Sequence, residues 1–173
     1  GGSSLWGPFS RFQDSKVPVL YGYSKHVIPV PPDWDDSNKV TGFWFLKPAR
    51  EWQPSSSLRE FLESGAPPVY IGFGSMVNQD PNETVKMVIS SLEKSGQRGI
   101  VGSGWGGIQD GHLPGFVHVV GSVPHTWLFP RMAAVVHHGG AGTTAEGLRA
   151  GVPTVIVPFI LDQPFWGQRV HSL

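Results

Sequence analysis

The run His137-His138-Gly139-Gly140-Ala141-Gly142-Thr143-Thr144-Ala145-Glu146 carries the most informative chemistry of this chain. A Val-rich strand, Ala133 to Val136, runs into a glycine cluster that opens a helix. Glycine lets the backbone approach an anion closely, and the unpaired N–H groups of a helix start point at it. The positive end of the helix dipole adds attraction. This is a geometry for holding phosphate. Thr143 and Glu146 follow in the first turns, a hydroxyl and a carboxylate within reach of neighbouring hydroxyl groups such as those of a ribose. Further on, Pro158-Phe159-Ile160-Leu161-Asp162-Gln163 ends a second Val/Ile strand in a polar pair. The two histidines are strand neighbours and point to opposite faces, and no Asp/Glu/Cys cluster completes a metal site, so no metal is expected.

Two other glycine segments follow strands. In Gly72-Phe73-Gly74-Ser75 the Ser75 hydroxyl and N–H can meet a phosphate oxygen, or the segment is a tight strand-to-loop turn; beside the downstream motif, phosphate contact is the better reading. Gly102-Ser103-Gly104-Trp105-Gly106-Gly107 matches the dinucleotide pattern. The next residues, Asp110-Gly111-His112-Leu113-Pro114-Gly115, read as loop rather than helix, and no acidic residue ends the following strand. A nicotinamide site needs strand, glycines, helix and acid together, so that reading is rejected.

The elements that must position these residues alternate. Leu58–Ser64 reads as an amphipathic helix and Val69–Phe73 as a buried strand. Asp80-Pro81-Asn82-Glu83 is a helix start, followed by Val85, Val88, Ile89 and Leu92 on one face and by Gly96 at the end. Strands are expected at Gly99–Gly102, Val117–Val120, Ala133–Val136 and Thr154–Val157, and a short helical turn at His125–Phe129. Helices are expected from Gly142 to Gly151 and after Asp162. This order implies an α/β fold with a doubly wound parallel sheet, Rossmann-like. Such sheets bind ligands at the carboxyl ends of their strands. Ser75, Trp105, Val123, His138 and Asp162 all follow strand ends. Residues 1–57 differ: they are rich in Pro, Trp and Ser, and beyond one strand at Val17–Tyr23 the prolines interrupt regular structure. The expected boundary therefore falls between 1–57 and 58–173.

His138-Gly139-Gly140-Ala141-Gly142-Thr143-Thr144-x-Glu146, then Gly151-Val152-Pro153, then Asp162-Gln163, resembles the donor-binding signature of inverting glycosyltransferases that use UDP-sugars and have the two-domain GT-B fold. More narrowly, the chain resembles sterol 3-β-glucosyltransferases, through Tyr21-Gly22-Tyr23-Ser24, Pro32-Asp33-Trp34, Thr41-Gly42-Phe43-Trp44-Phe45-Leu46 and Pro68-Val69-Tyr70-Ile71-Gly72-Phe73-Gly74-Ser75-Met76.

The resemblance implies roles. His138 would contact the donor phosphate, Thr143 would donate to the β-phosphate, and Gly140 and Gly142 would give backbone access. Glu146 would accept from ribose hydroxyls, the alternative being a solvated helix face. Asp162 and Gln163 would meet the sugar hydroxyls and favour glucose, with Asp162 also readable as a helix cap. Ser122-Val123-Pro124-His125 stands where related plant enzymes resemble Trp-Ala-Pro-Gln, whose Trp stacks on uracil. With Ser122 in that place, Trp105 becomes a candidate for stacking on uracil, or else packs on its own glycines. Val123 would pair with the base through its backbone, and His125 would contact ribose or phosphate. His137 would face away as a packed or hydrogen-bonded residue.

The resemblance further implies that residues 1–57 end an N-terminal acceptor domain and its linker. It also implies that residues 58–173 are a UDP-sugar-binding domain lacking a closing helical segment, with a risk of self-association. The general base and the sterol pocket would lie in the N-terminal domain, and UDP-glucose or UDP would bind without a metal or other cofactor. Two alternatives remain: a donor domain serving another lipid or natural-product acceptor, and a non-catalytic nucleotide-sugar-binding subunit that needs a partner chain.

Composition agrees with a globular domain of this kind. The chain has 173 residues with 13 basic and 13 acidic side chains, so nothing points to nucleic acid or an anionic membrane surface. It has no cysteine, which excludes a disulfide framework and fits a cytoplasmic protein. No apolar run approaches the ~20 residues that span a bilayer; membrane association would be peripheral and belong to the full-length protein.

Overall fold

The computed structural model describes residues 17–46, 52–74, 81–105 and 113–173, the side chains of Pro81 and Trp105 excepted. Ser75, the Asp80 helix cap and Gly106–Gly107 lie outside the described residues. The chain divides into two compact units between Trp44 and Phe45.

The first unit contains a two-stranded parallel pair, β1 (Val19–Tyr21) and β2 (Asn38–Val40), in the register Val19↔Asn38. The Tyr21 hydroxyl donates to Asn38 Oδ1 at 3.1 Å, and the Tyr21 ring stacks on Trp34 at 4.2 Å. β2 was not foreseen in the sequence.

The second unit is a five-stranded, wholly parallel sheet in the order β5-β4-β3-β6-β7. Its strands are β3 (Val69–Gly72), β4 (Gly99–Gly102), β5 (Val117–Val120), β6 (Ala134–His137) and β7 (Thr154–Ile156). Both faces of the central strands β3 and β4 are buried, so successive residues serve opposite cores, while Val155 of the edge strand β7 stays exposed. Tyr70, Ile100 and Val135 join Leu58, Leu128 and Phe129 in one cluster. Their neighbours Ile71 and Val101 join Phe73 and Leu92 in the other, with Val136 packed against it. Leu128 and Phe129 are fully enclosed, and each such side chain contributes about 2 kcal/mol of burial.

The helices cover these two faces. α1 (Ser56–Glu63) begins earlier than its hydrophobic pattern indicates, because the Ser55 hydroxyl accepts from Leu58 N–H at 3.2 Å and caps it. α2 (Pro81–Ser95) places Val85, Val88, Ile89 and Leu92 on the second cluster. It stops where Gly96 turns left-handed, with Gln97 N–H bonded to Leu92 O and Gly96 N–H to Glu93 O, the paired bonds of a Schellman cap. A 3-10 turn, Ser103–Trp105, follows β4. α3 (His125–Leu128) runs on into a second 3-10 turn, Phe129–Arg131. α4 (Ala141–Ala150) ends at Gly151, φ 68°, and α5 (Gln163–His171) closes the described order.

The strand order fixes where a ligand can sit. From β3 the chain moves to one side for β4 and β5, then returns to the other side of β3 for β6 and β7. The switch point lies between β3 and β6, and loops leaving these two strands part there and open a crevice.

Candidate functional site

At the switch point β3 and β6 pair with Gly72 opposite His137, so their two glycine segments leave the sheet side by side. The His138 imidazole fills the space between them. A methyl group added at Gly74 would lie 3.3 Å from Cε1 of His138, and one at Gly140 only 2.7 Å from Nε2. Glycine at both positions is therefore what lets this ring lie in the crevice. Nδ1 of His138 is buried and has no hydrogen-bond partner among the described residues.

Gly140 opens α4 with extended backbone, φ −61° and ψ 139°. No side chain caps the helix, and its first turn carries no acidic residue. Ala141 and Gly142 are exposed, so this helix start presents amide N–H groups and the positive dipole end to solvent. Thr143 is half-buried beside them, and Glu146 is half-buried one turn on. Burial raises the Glu146 pKa, against the opposing pull of Arg149. Thr144 turns inward and is fully enclosed.

The other strand ends close around this point. A methyl on Gly104 would fall 2.9 Å from the Gly74 carbonyl oxygen, so the β4 loop rests on the β3 loop. Phe73 meets Phe159 edge to face at 5.5 Å, which ties the β3 end to the β7 loop. A methyl on Gly139 would lie 3.2 Å from the Gln163 carbonyl oxygen, so the start of α5 touches the glycine run. The ends of β3, β4, β6 and β7 thus form one continuous surface at the carboxyl edge.

Asp162 is exposed there, and its Oδ2 accepts from Trp166 Nε1 at 2.8 Å. It makes no side-chain capping bond to α5. Gln163 is buried, and its Oε1 accepts from the Phe159 and Ile160 amides at 2.7 and 3.0 Å. That amide shapes the loop carrying Asp162. Leu161, between them in the turn, is 87% exposed with φ 58°, a left-handed conformation that a branched residue seldom adopts.

The β5 end contributes differently. Val123 is half-buried and packs against the first core cluster. It lines a cleft of about 260 Å³ with Trp52, Ser55, Leu58, His118 and Ser122. His125 stacks on Phe129 at 4.3 Å and meets Tyr70 at 5.7 Å, and burial lowers its pKa. Trp105 ends the 3-10 turn after β4, but its side chain is outside the described set, as is Ser75. Within the first unit, a trough of about 890 Å³ runs beside Leu20, Tyr21 and Trp34.

Two residues that the sequence reading did not single out for the site belong to it. Gly139 has φ 91° and makes the turn into α4. His137 is fully enclosed beneath that turn, and its Nδ1 accepts the Gly139 N–H at 3.0 Å. Burial, with smaller contributions from His138 and His125, lowers its pKa to about 4. Among the described residues no three His, Cys, Asp or Glu side chains gather as a metal site, and no helix is long and apolar enough to cross a membrane.

Comparison with known proteins gives a consistent picture. Residues 107–173 match the family described as erythromycin biosynthesis protein CIII-like, C-terminal domain. The chain is 50% identical to sterol 3-beta-glucosyltransferase UGT80A2 of Arabidopsis thaliana over 91% of its own length and 25% of that protein. It is 45% identical to the sterol 3-beta-glucosyltransferase of Aspergillus fumigatus, over 94% of its length and 12% of that protein. The chain thus spans a quarter or less of these relatives. Among solved structures, the calicheamicin glycosyltransferase CalG4 superimposes with a TM-score of 0.69 at 22% identity, covering 96% of this chain and 40% of that one. The kitacinnamycin glycosyltransferase superimposes with a TM-score of 0.64 at 25% identity, covering 90% and 40%. In sequence the chain is thus similar over most of its length to part of the sterol 3-beta-glucosyltransferases, its residues 107–173 match the C-terminal-domain family, and its fold is that of the superposed glycosyltransferase structures.

Proposed function

We propose that this chain is the UDP-glucose-binding part of an inverting glycosyltransferase that transfers glucose to the 3-hydroxyl of a sterol. The observation that carries the reading is the uncapped start of α4 beside His138, at the β3/β6 switch point. Amides and dipole at that position suit a diphosphate. The names of the relatives supply the glucose and the sterol.

In this reading the α4 amides, His138 and Thr143 take up the charge that develops on the departing UDP, without a metal ion. Ser75, which follows β3 in the sequence, adds a hydroxyl. Electrostatic help of this kind acts on the leaving group as the sugar–phosphate bond breaks. Asp162 receives glucose hydroxyls and Glu146 those of the ribose. Val123, His125 and Trp105 flank the nucleoside. Deprotonation of the sterol hydroxyl, the other requirement of the reaction, falls to a base in an N-terminal acceptor domain. The full-length protein meets its acceptor as a cytoplasmic, peripheral membrane protein.

Transfer from labelled UDP-glucose by the full-length protein tests this. A sterol β-glucoside, formed equally well with chelator present, is the expected product. Transfer to a non-sterol acceptor alone would move the protein to another branch, and an α-linked product would refute the inverting assignment.

A further inference from the structure

We infer that His137 is a positioning residue for the anion site, its Nδ1 holding the Gly139 N–H and so fixing the turn that aims the first amides of α4. The inference rests on the reading of α4 as the diphosphate site, but assigns a role to a residue that would touch no ligand.

The geometry is specific. His137 is the last residue of β6, paired with Gly72 of β3, and it lies on the same face of the sheet as Val135. The ring is fully enclosed, so its orientation is set by packing. Its Nδ1 lies 3.0 Å from the Gly139 nitrogen. A backbone N–H can only donate, so Nδ1 must be the bare nitrogen, and the one ring proton of the neutral imidazole sits on Nε2. Protonation of Nδ1 would set two donors against each other in a buried place. Burial is the main cause that keeps the ring neutral, and the electrostatic influence of His138 and His125 acts in the same direction.

The bond lands on the residue that most needs it. Gly139 holds φ 91°, in the left-handed region, and a methyl there would meet Ile156 Cγ2 at 2.6 Å. Only glycine fits, yet glycine is the residue freest to leave such a conformation. The Nδ1 acceptor supplies the restraint that the glycine lacks. One residue later Gly140 opens α4, and its carbonyl takes the first helical bond, from Thr144 N–H at 2.9 Å. A rotation at Gly139 would therefore swing Gly140 off the His138 ring and redirect the amides that follow.

The test separates positioning from mere packing. In His137→Asn the amide oxygen occupies the place of Nδ1 and can accept the Gly139 N–H. In His137→Phe the ring volume is kept and the acceptor is lost. Calorimetric titration with UDP should give Asn an affinity close to wild type and Phe one weaker by about tenfold, as the loss of one buried hydrogen bond implies. Thermal melts should rank the two variants differently, since Phe fills the space and Asn does not. NMR of 15N-histidine-labelled wild type should show the His137 proton on Nε2. Equal UDP affinity in Phe and wild type, or a proton on Nδ1, would overturn the inference. If Phe fails to fold, the Asn titration and the tautomer decide it. Failure of wild type to bind UDP would instead sink the diphosphate reading, and the tautomer would still report on the Gly139 bond.

Discussion

The His138 imidazole and the backbone of Gly140 are in contact, so that a methyl group at Gly140 would come within 2.7 Å of Nε2. The backbone at Gly140, φ −61° and ψ 139°, is one that alanine adopts freely. Gly140→Ala should therefore fold, displace the His138 ring, and weaken UDP binding by about tenfold or more. A circular-dichroism melt beside the titration checks both halves. An unchanged affinity would show that the ring position is irrelevant to the ligand.

Gly142 offers the converse case. A methyl there would meet no atom within 4 Å, and the residue is exposed in the first turn of α4. Gly142→Ala should stabilise the fold by up to about 1 kcal/mol through helix propensity. It should nevertheless weaken UDP binding, because the open space is where a phosphate would approach the backbone. Denaturant unfolding and calorimetry on the same variant read the two opposite effects.

The pH dependence of stability follows from His137. Its pKa of about 4 in the folded protein lies below the ordinary 6.5, so between these values the unfolded chain binds more protons than the native one. Stability should be full above pH 6.5 and fall as the pH drops toward 4, by at most roughly 3 kcal/mol from this group. His118 and His125, both lowered by burial, act in the same direction. Glu146, raised by burial, acts in the opposite one and is only partly enclosed. Urea midpoints measured from pH 7.5 to 4.5 should decline. Their slope should shrink in His137→Asn, and a midpoint that rose on acidification would contradict the assignment.

Leu161 is held at φ 58° with its side chain 87% exposed. Leu161→Gly should relieve left-handed strain of roughly 1 kcal/mol at little packing cost, partly offset by the greater freedom of glycine when unfolded. A modest rise in Tm is expected. A fall would mean that the Leu161 side chain supports the Asp162 loop.

Asp162 and Gln163 should separate by function. Asp162→Asn should weaken UDP-glucose binding several-fold while leaving UDP affinity unchanged, because in the proposed function only the sugar would reach that carboxylate. Gln163→Ala should destabilise the protein by about 1–3 kcal/mol, since it leaves the Phe159 and Ile160 amides without their acceptor. Titrations with both ligands and a melt of each variant distinguish the two residues.

The sheet was legible because its central strands are buried on both faces and stand between helices with their own start and stop signals. Gly96 and Gly151 end helices where the sequence places them. α1 began early because one hydroxyl, that of Ser55, extended it past its apolar stripe. β2 was missed because Asn38-Lys39-Val40 has no strand pattern of its own and is held by pairing with a strand well before it. At the site the residue types could be read but not their directions. Nothing local reveals that Gln163 turns its oxygen to the preceding loop, or that His137 reaches Gly139. These bonds span only two to four residues, but the buried packing around His137 and Gln163 sets the direction of each side chain, and residue type does not encode it.

The most direct test of the central claim is calorimetric titration of this chain with UDP, UDP-glucose and NAD, with chelator present, for wild type and His138→Ala. The account predicts binding of the two uridine ligands, weakened about tenfold or more in the variant, and no comparable binding of NAD. Tight NAD binding, or uridine binding indifferent to His138, would contradict it.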